Sequence, residues 1–252
     1  MFGSDVRKTD EGGKPHVGEA WKLHHKDSKL LIGFLCVAGG LLALFWLGSE
    51  VLEGDTFALD KAILRALRTA QDVALPIGPH WLPQSAIDIT ALGGFTVLTI
   101  LTCLVVGFLL ADRKPGTALF VALAISSGAL LSTALKDFFV RQRPEIVPHL
   151  VQVSSTSFPS GHAMNAAMVY LTLAALLARS QTVTRVRLYL LGCAIVLTLI
   201  VGLSRLYLGV HWPSDVLAGW SFGAIWATVC SFIAKQLQDA RTIEAPSSSD
   251  AA

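Results

Sequence analysis

The chain has 252 residues, 53% of them hydrophobic and only 15% charged, where a soluble domain of this length carries about a quarter charged residues. A formal net charge of +2, with no basic cluster interleaved with aromatics, leaves no basis for a nucleic-acid partner. Four cysteines (Cys36, Cys103, Cys193, Cys230) stand singly in apolar runs without CxxC or Cys/His spacing, which argues against a disulfide framework or a zinc centre.

The missing charge is concentrated in long uncharged runs, so the chain reads as an all-α, polytopic membrane protein, each span needing about 20 apolar residues. Residues 1–29 lack periodicity and read as a disordered cytoplasmic segment. The first predicted span is Leu30–Gly48; its late start, its length and the lack of a small-residue cleavage site set it apart from a signal sequence. Thr56–Gln71 is too polar to span. Leu59, Ile63, Leu67 and Ala70 form one helical stripe, with Asp60, Lys61, Arg65 and Arg68 on the other side, as in an amphipathic helix lying in the membrane interface. Five more spans follow: Ile89–Ala111, Pro115–Leu135, Ser160–Ala178, Leu188–Ser204 and Val216–Ala234. The membrane domain thus covers residues 30–234 with six spans, and 235–252 reads as a disordered cytoplasmic tail.

Orientation follows from the connecting segments. With the N-terminus inside, thirteen of the 20 Lys and Arg residues fall on inside segments. The other seven are Lys61, Arg65, Arg68, Lys136, Arg141, Arg143 and Arg205. The bias predicts both termini in the cytoplasm.

Three blocks then share the outer face. The first runs from Lys136 to Pro144 and carries Lys136, Arg141 and Arg143. Lys136 and Arg143 lie about two helical turns apart and share a face if the helix persists to Pro144. A lone cation there would simply snorkel to the headgroups; three together, on the side where positive charge is disfavoured, ask for another reason. The second block, Pro159-Ser160-Gly161-His162, opens the fourth span, where free helix N–H groups and a Ser-Gly pair suit an anion. By itself it could be no more than a helix start. The third is Ser204-Arg205 with His211 and Asp215, an imidazole and a carboxylate four residues apart that can meet on one face. A salt bridge between Arg205 and Asp215 is the plain alternative, but it leaves His211 unexplained. Cations that clamp a phosphate, an imidazole that can attack it and a second that can protonate the leaving group are the parts of a phosphatase working through a phosphohistidine.

Together the blocks resemble the signature of the type 2 phosphatidic acid phosphatase family, lipid phosphatases related to the vanadium haloperoxidases. The pattern K-x6-RP, PSGH and SR-x5-H-x3-D is matched at every defined position, within a resemblance running from about Ile89 to Ala234. The resemblance implies that Lys136, Arg143 and Arg205 bind the phosphoryl oxygens, helped by Ser160 and the Gly161 amide. It implies that His211 is the nucleophile, Asp215 its orienting partner and His162 the general acid, with no metal or cofactor. Arg141 is not a motif position, and its role stays open.

The expected activity is hydrolysis of a lipid phosphomonoester or diphosphate at the outer face of a bacterial inner membrane. Undecaprenyl diphosphate stands first among substrates, followed by phosphatidic acid, phosphatidylglycerol phosphate and lipid A phosphates. The segments Glu145–Phe158 and Gly78–Asp88 are expected to choose among them. A phosphotransferase remains an alternative, as does a lipid-binding or transport protein with intramembrane charges.

Overall fold

The computed structural model describes residues 58–244. The predicted segment 1–29 and the first predicted span, Leu30–Gly48, lie outside the described residues. Within them the chain forms seven helices: α1 (Ala58–Ala66), α2 (Leu82–Ala91), α3 (Phe95–Ala111), α4 (Pro115–Phe138), α5 (Gly161–Arg179), α6 (Thr184–Tyr207) and α7 (Pro213–Asp239). No strand occurs among the described residues. Helices α4 to α7 are each long and apolar enough to cross a membrane, and α2 with α3 makes a fifth span if the bent pair is counted as one.

That bent pair corrects the continuous span expected at Ile89–Ala111, for the helix breaks after Ala91 and turns by 46°. The cause is local. A Cβ on Gly93 would stand 2.4 Å from Val201 Cγ1 and 3.0 Å from the His162 carbonyl, so the backbone passes where only glycine fits. Gly94 is extended and starts α3, while the Tyr170 hydroxyl donates to the Leu92 carbonyl at 2.7 Å.

Helix α5 is the centre of the bundle and packs most extensively on α6 and α7. Its approach to α7 depends on small residues one turn apart on both helices. A Cβ on Gly219 would lie 3.1 Å from Ala163 Cβ, and one on Gly223 would lie 2.4 Å from Ala167 Cβ. In a membrane, where lipid tails are as apolar as leucine, such close backbone contact supplies much of the packing energy.

Helix α1 occupies the predicted amphipathic segment but is shorter and turned. It stops at Ala66, where Arg68 bridges to Pro76, and Leu59 on the apolar stripe is 68% exposed. Asp60, Leu64 and Arg68, at helical spacing, point inward and are buried. Asp60 and Arg68, expected on the side facing water, instead enter the protein where they have partners, while Arg65 of the same side is exposed.

At the other end of the molecule α7 continues to Asp239, and the described chain goes on to Glu244. The Glu244 carboxylate accepts hydrogen bonds from the amides of Gly116 (3.0 Å) and Thr117 (2.8 Å) and from the Thr117 hydroxyl (3.0 Å), at the start of α4. Helix α7 therefore continues past residue 235.

Candidate active site

The C-terminal ends of α4 and α6 and the N-terminal ends of α5 and α7 meet at one end of the bundle. The segment 139–160 crosses that end, closed on itself by a bond from Ser157 N to Arg141 O (2.9 Å) and tied to the bundle by Leu150 N to Leu208 O (3.0 Å) and Ser160 N to Asp215 O (3.0 Å). All three sequence blocks converge here. Arg143 reaches the cluster from this segment and not from α4, which ends at Phe138. The shared helical face expected for Lys136 and Arg143 is thus corrected: the chain beyond Phe138 is extended, and tertiary contacts bring the two cations together.

His211 lies in the short connection between α6 and α7 and is 1% exposed. Its Nδ1 faces Asp215 Oδ2 at 3.5 Å, and its Nε2 faces Arg143 Nη1 at 3.3 Å. Asp215 Oδ2 also accepts from the Ser157 hydroxyl (2.5 Å) and the Trp212 amide (2.8 Å). With one ring nitrogen turned to a carboxylate, the other is left with its lone pair directed at the cations. Burial, opposed by Asp215 and reinforced by Arg143 and Arg205, pushes the His211 pKa from 6.5 down to about 3. The ring is therefore neutral at physiological pH without help.

Three cations share this cluster, of which Arg143 touches the nitrogen and Arg205 lies within electrostatic range of the ring, while Lys136 lies beside Arg143, Arg205 and Asp215. Arg143 is held in place by carbonyls, donating to Ser155 O (2.7 Å) and Val210 O (2.6 Å); burial lowers its pKa, with Asp215 opposing. Lys136 Nζ donates to Thr156 O at 2.9 Å, and Arg205 Nη1 donates to the Thr90 hydroxyl at 3.0 Å. Two buried polar atoms nearby have no partner: Arg205 Nε and Ser160 Oγ. Leaving such groups unmade is expensive unless a ligand completes them, and both suit phosphate oxygens.

Ser160 precedes α5 as its N-cap, and Gly161 opens the helix. A Cβ on Gly161 would meet Lys136 Cε at 2.9 Å, so glycine here keeps the lysine beside the helix N-terminus. His162 lies within electrostatic range of Arg205, His211, Lys136 and Arg143. The structure thus assembles all eight residues singled out in the sequence: Lys136, Arg143, Ser160, Gly161, His162, Arg205, His211 and Asp215. This arrangement can bind a tetrahedral dianion, attack it with an imidazole and protonate an oxygen leaving it.

Sequence reasoning missed several partners. Arg141 bridges two carboxylates, donating to Asp215 Oδ1 (2.6 Å) and Asp60 Oδ2 (3.1 Å), and Ser214 and Ser157 complete the surroundings. Arg68 donates to the carbonyls of Tyr207 (3.0 Å) and Pro148 (3.4 Å), bracing the chain on either side of the site. Arg141 stood out as a third cation, whereas Asp60 was masked by its place on an amphipathic stripe.

The helical bundle and its ring of cations define a membrane-embedded lipid phosphatase. The chain belongs to the PAP2 superfamily, whose model matches residues 116–239. It is 36% identical over 166 residues to phosphatidylglycerophosphatase B of Bacillus subtilis, covering 66% of this chain and 81% of that protein. It is 33% identical over 137 residues to an undecaprenyl-diphosphatase of Sulfolobus acidocaldarius, covering 52% of this chain and 59% of the relative. The crystal structure of a transmembrane PAP2 type phosphatidylglycerolphosphate phosphatase from Bacillus subtilis superposes with a TM-score of 0.70 at 30% identity, covering 81% of this chain and 98% of that one.

Proposed function

We propose that the protein hydrolyses a lipid phosphomonoester, with phosphatidylglycerol phosphate as the foremost substrate, through a phosphohistidine on His211. The observation that carries this reading is the two-sided environment of His211, with Asp215 at Nδ1 and Arg143 at Nε2. Lys136, Arg143, Arg205, Ser160 and the Gly161 amide bind the phosphoryl oxygens. With His162 protonated beside the bound phosphate dianion, Nε2 of His211 attacks phosphorus, the bond from phosphorus to the lipid oxygen breaks, and His162 gives that oxygen its proton. His162 then takes a proton from water as the water attacks phosphorus, the P–N bond breaks, and inorganic phosphate leaves with His211 neutral again. Charge stabilisation and positioning supply most of the rate in such transfers.

A monoester is favoured over a diphosphate by the arrangement of the cations among the described residues. Lys136, Arg143 and Arg205 gather round one position, while Arg141 is held between Asp60 and Asp215 and cannot serve a second phosphate. The likeness to the Bacillus phosphatidylglycerophosphatase supports the same choice. Undecaprenyl diphosphate, first on sequence grounds, is the second reading and draws support from the Sulfolobus relative. The distribution of Lys and Arg supports a site on the outer membrane face. Phosphate release by purified protein over phosphatidylglycerol phosphate, phosphatidic acid, undecaprenyl diphosphate and lipid A tests the choice. A kcat/KM highest on the diphosphate would reverse the first two readings.

A further inference from the structure

We infer that Asp60 on α1, acting through Arg141, is a positioning residue for the His211–Asp215 pair, fixing both its orientation and its charge. The inference rests on the proposed role of His211 and adds to it a part of the molecule that none of the three sequence blocks contains.

Four buried groups form one continuous chain. Asp60, 3% exposed, accepts from Ser214 N (2.9 Å), Ser214 Oγ (2.5 Å) and Arg141 Nη2 (3.1 Å). The other arm of the same guanidinium reaches Asp215 Oδ1 at 2.6 Å, and Asp215 Oδ2 faces His211 Nδ1. The two arms of one planar fork thus hold two carboxylates from different helices, which a lysine could not reproduce. Arg141 also lies over the Trp212 ring, 5.6 Å from its centroid, so the cation is fixed from a third side.

The arrangement settles two problems of physical chemistry. Both oxygens of Asp215 are occupied, Oδ1 by Arg141 and Oδ2 by Ser157, the Trp212 amide and His211, so the carboxylate cannot rotate away from the imidazole. An Arg141–Asp215 pair alone would also cancel the negative charge that an attacking imidazole needs beside it. Asp60 restores the balance by countering Arg141, so the Asp60–Arg141–Asp215 group presents one net negative charge to the Nδ1 side of His211. Buried charges are tolerated only when so matched, and removal of one member exposes the rest.

The sign of each charge makes this testable. The groups facing His211 are Asp215 from α7, Arg143 from the crossing segment, Arg205 from α6 and His162 from α5, with Lys136 of α4 acting on Asp215. Against that constant background, Asp60→Asn leaves Arg141 uncountered and disfavours the imidazolium. Arg141→Met removes a positive charge and favours it. In purified protein hydrolysing an aryl phosphate, the limb of the pH–kcat profile that rises as His211 loses its proton should move down in pH for Asp60→Asn. It should move up for Arg141→Met, each by about half a unit or more relative to wild type. Substrate titration is common to all variants and cancels in the differences.

Each single change should lower kcat on the order of 10- to 100-fold. The double variant Asp60→Asn/Arg141→Met should lie closer to the wild-type limb than either single one. Arg141→Lys keeps the charge and serves if Asp60→Asn does not fold: kcat should fall while the limb stays in place. Shifts of Asp60→Asn and Arg141→Met in the same direction, no shift in either, or a shift in Arg141→Lys as large as that in Arg141→Met would overturn the proposal. His211→Ala is measured alongside. If it is inactive while the shifts fail, only the relay is lost; if it retains turnover, the nucleophile assignment itself fails.

Discussion

Arg143 Nη1 lies 3.3 Å from His211 Nε2, so the guanidinium stands directly beside the nitrogen proposed to attack phosphorus. The same arm donates to Val210 O at 2.6 Å, which fixes it to the backbone next to His211. In the proposed mechanism a phosphoryl group drawn to Arg143 would be delivered to His211, so that binding and attack are coupled.

Replacing Arg143 should accordingly hurt the chemical step more than ground-state binding. Arg143→Lys keeps a charge but not the planar fork, and should lower kcat by roughly 10-fold or more, with Arg143→Ala losing on the order of 10²- to 10³-fold. Inhibition of the wild type by vanadate, which mimics the five-coordinate phosphoryl group, should weaken in step with kcat across these variants. Wild-type activity should survive EDTA. A kcat unchanged in Arg143→Lys, with only KM raised, would contradict the coupling.

His162 should reveal itself through the leaving group. An acid that protonates the departing oxygen matters most for an alkyl oxygen and least for a good aryl leaving group. His162→Ala should therefore reduce turnover of a lipid phosphate by a larger factor than turnover of an aryl phosphate. His211→Ala should abolish both to below about a hundredth of wild type, since it removes the group proposed to form the covalent bond. Equal losses on the two substrates in His162→Ala would remove its role as acid.

How much of this was legible in the sequence depended on whether a signal was local. Spans four to six and the three motif blocks were readable because hydropathy, Pro and Gly act within a few residues; α5, α6 and α7 differ from the expected spans only at their ends. The break at Gly93 was not, because its cause is the proximity of Val201 and of the His162 backbone, distant in sequence. Asp60 was misread for a related reason. Its position on a polar stripe is what a surface helix shows, and only the docking of α1 against Arg141 and Ser214 gives that carboxylate partners. The seven-residue spacing of Lys136 and Arg143 pointed to the right pair by the wrong geometry, since an extended segment replaces the second turn.

Glu244 should contribute to stability from outside the site. Partial desolvation pushes its pKa up, but the amides of Gly116 and Thr117 and the Thr117 hydroxyl outweigh this and hold it at about 2, below the ordinary 4.5. A depressed carboxylate stabilises the fold while ionised, so its contribution is complete above pH 4.5 and lost as pH falls towards 2. Glu244→Gln, or truncation after Ile243, removes an anion from a helix N-terminus and should cost about 1 kcal/mol. That corresponds to roughly 2–4 °C in a detergent melt near neutral pH. The difference from wild type should shrink at acid pH, and a gap that stays constant down to pH 3 would show that the carboxylate charge is irrelevant.

The orientation of the bundle decides which leaflet supplies the substrate. Gln152 is exposed on the segment that crosses the site, between α4 and α5, and Thr182 is exposed on the connection between α5 and α6 at the opposite end. Thirteen of the 20 Lys and Arg residues fall on the Thr182 side or on the terminal segments assigned to it. Of the remaining seven, Lys136, Arg143 and Arg205 gather at the site, while Arg68 and Arg141 are buried in partnerships beside it. Only Lys61 and Arg65 are left to oppose the bias. In a background without Cys36, Cys103, Cys193 and Cys230, Gln152→Cys should react with an impermeant thiol reagent in intact spheroplasts. Thr182→Cys should react only after permeabilisation. The reverse pattern would put the phosphate site in the cytoplasmic leaflet, where undecaprenyl diphosphate released on the outer face could not reach it without first crossing the membrane.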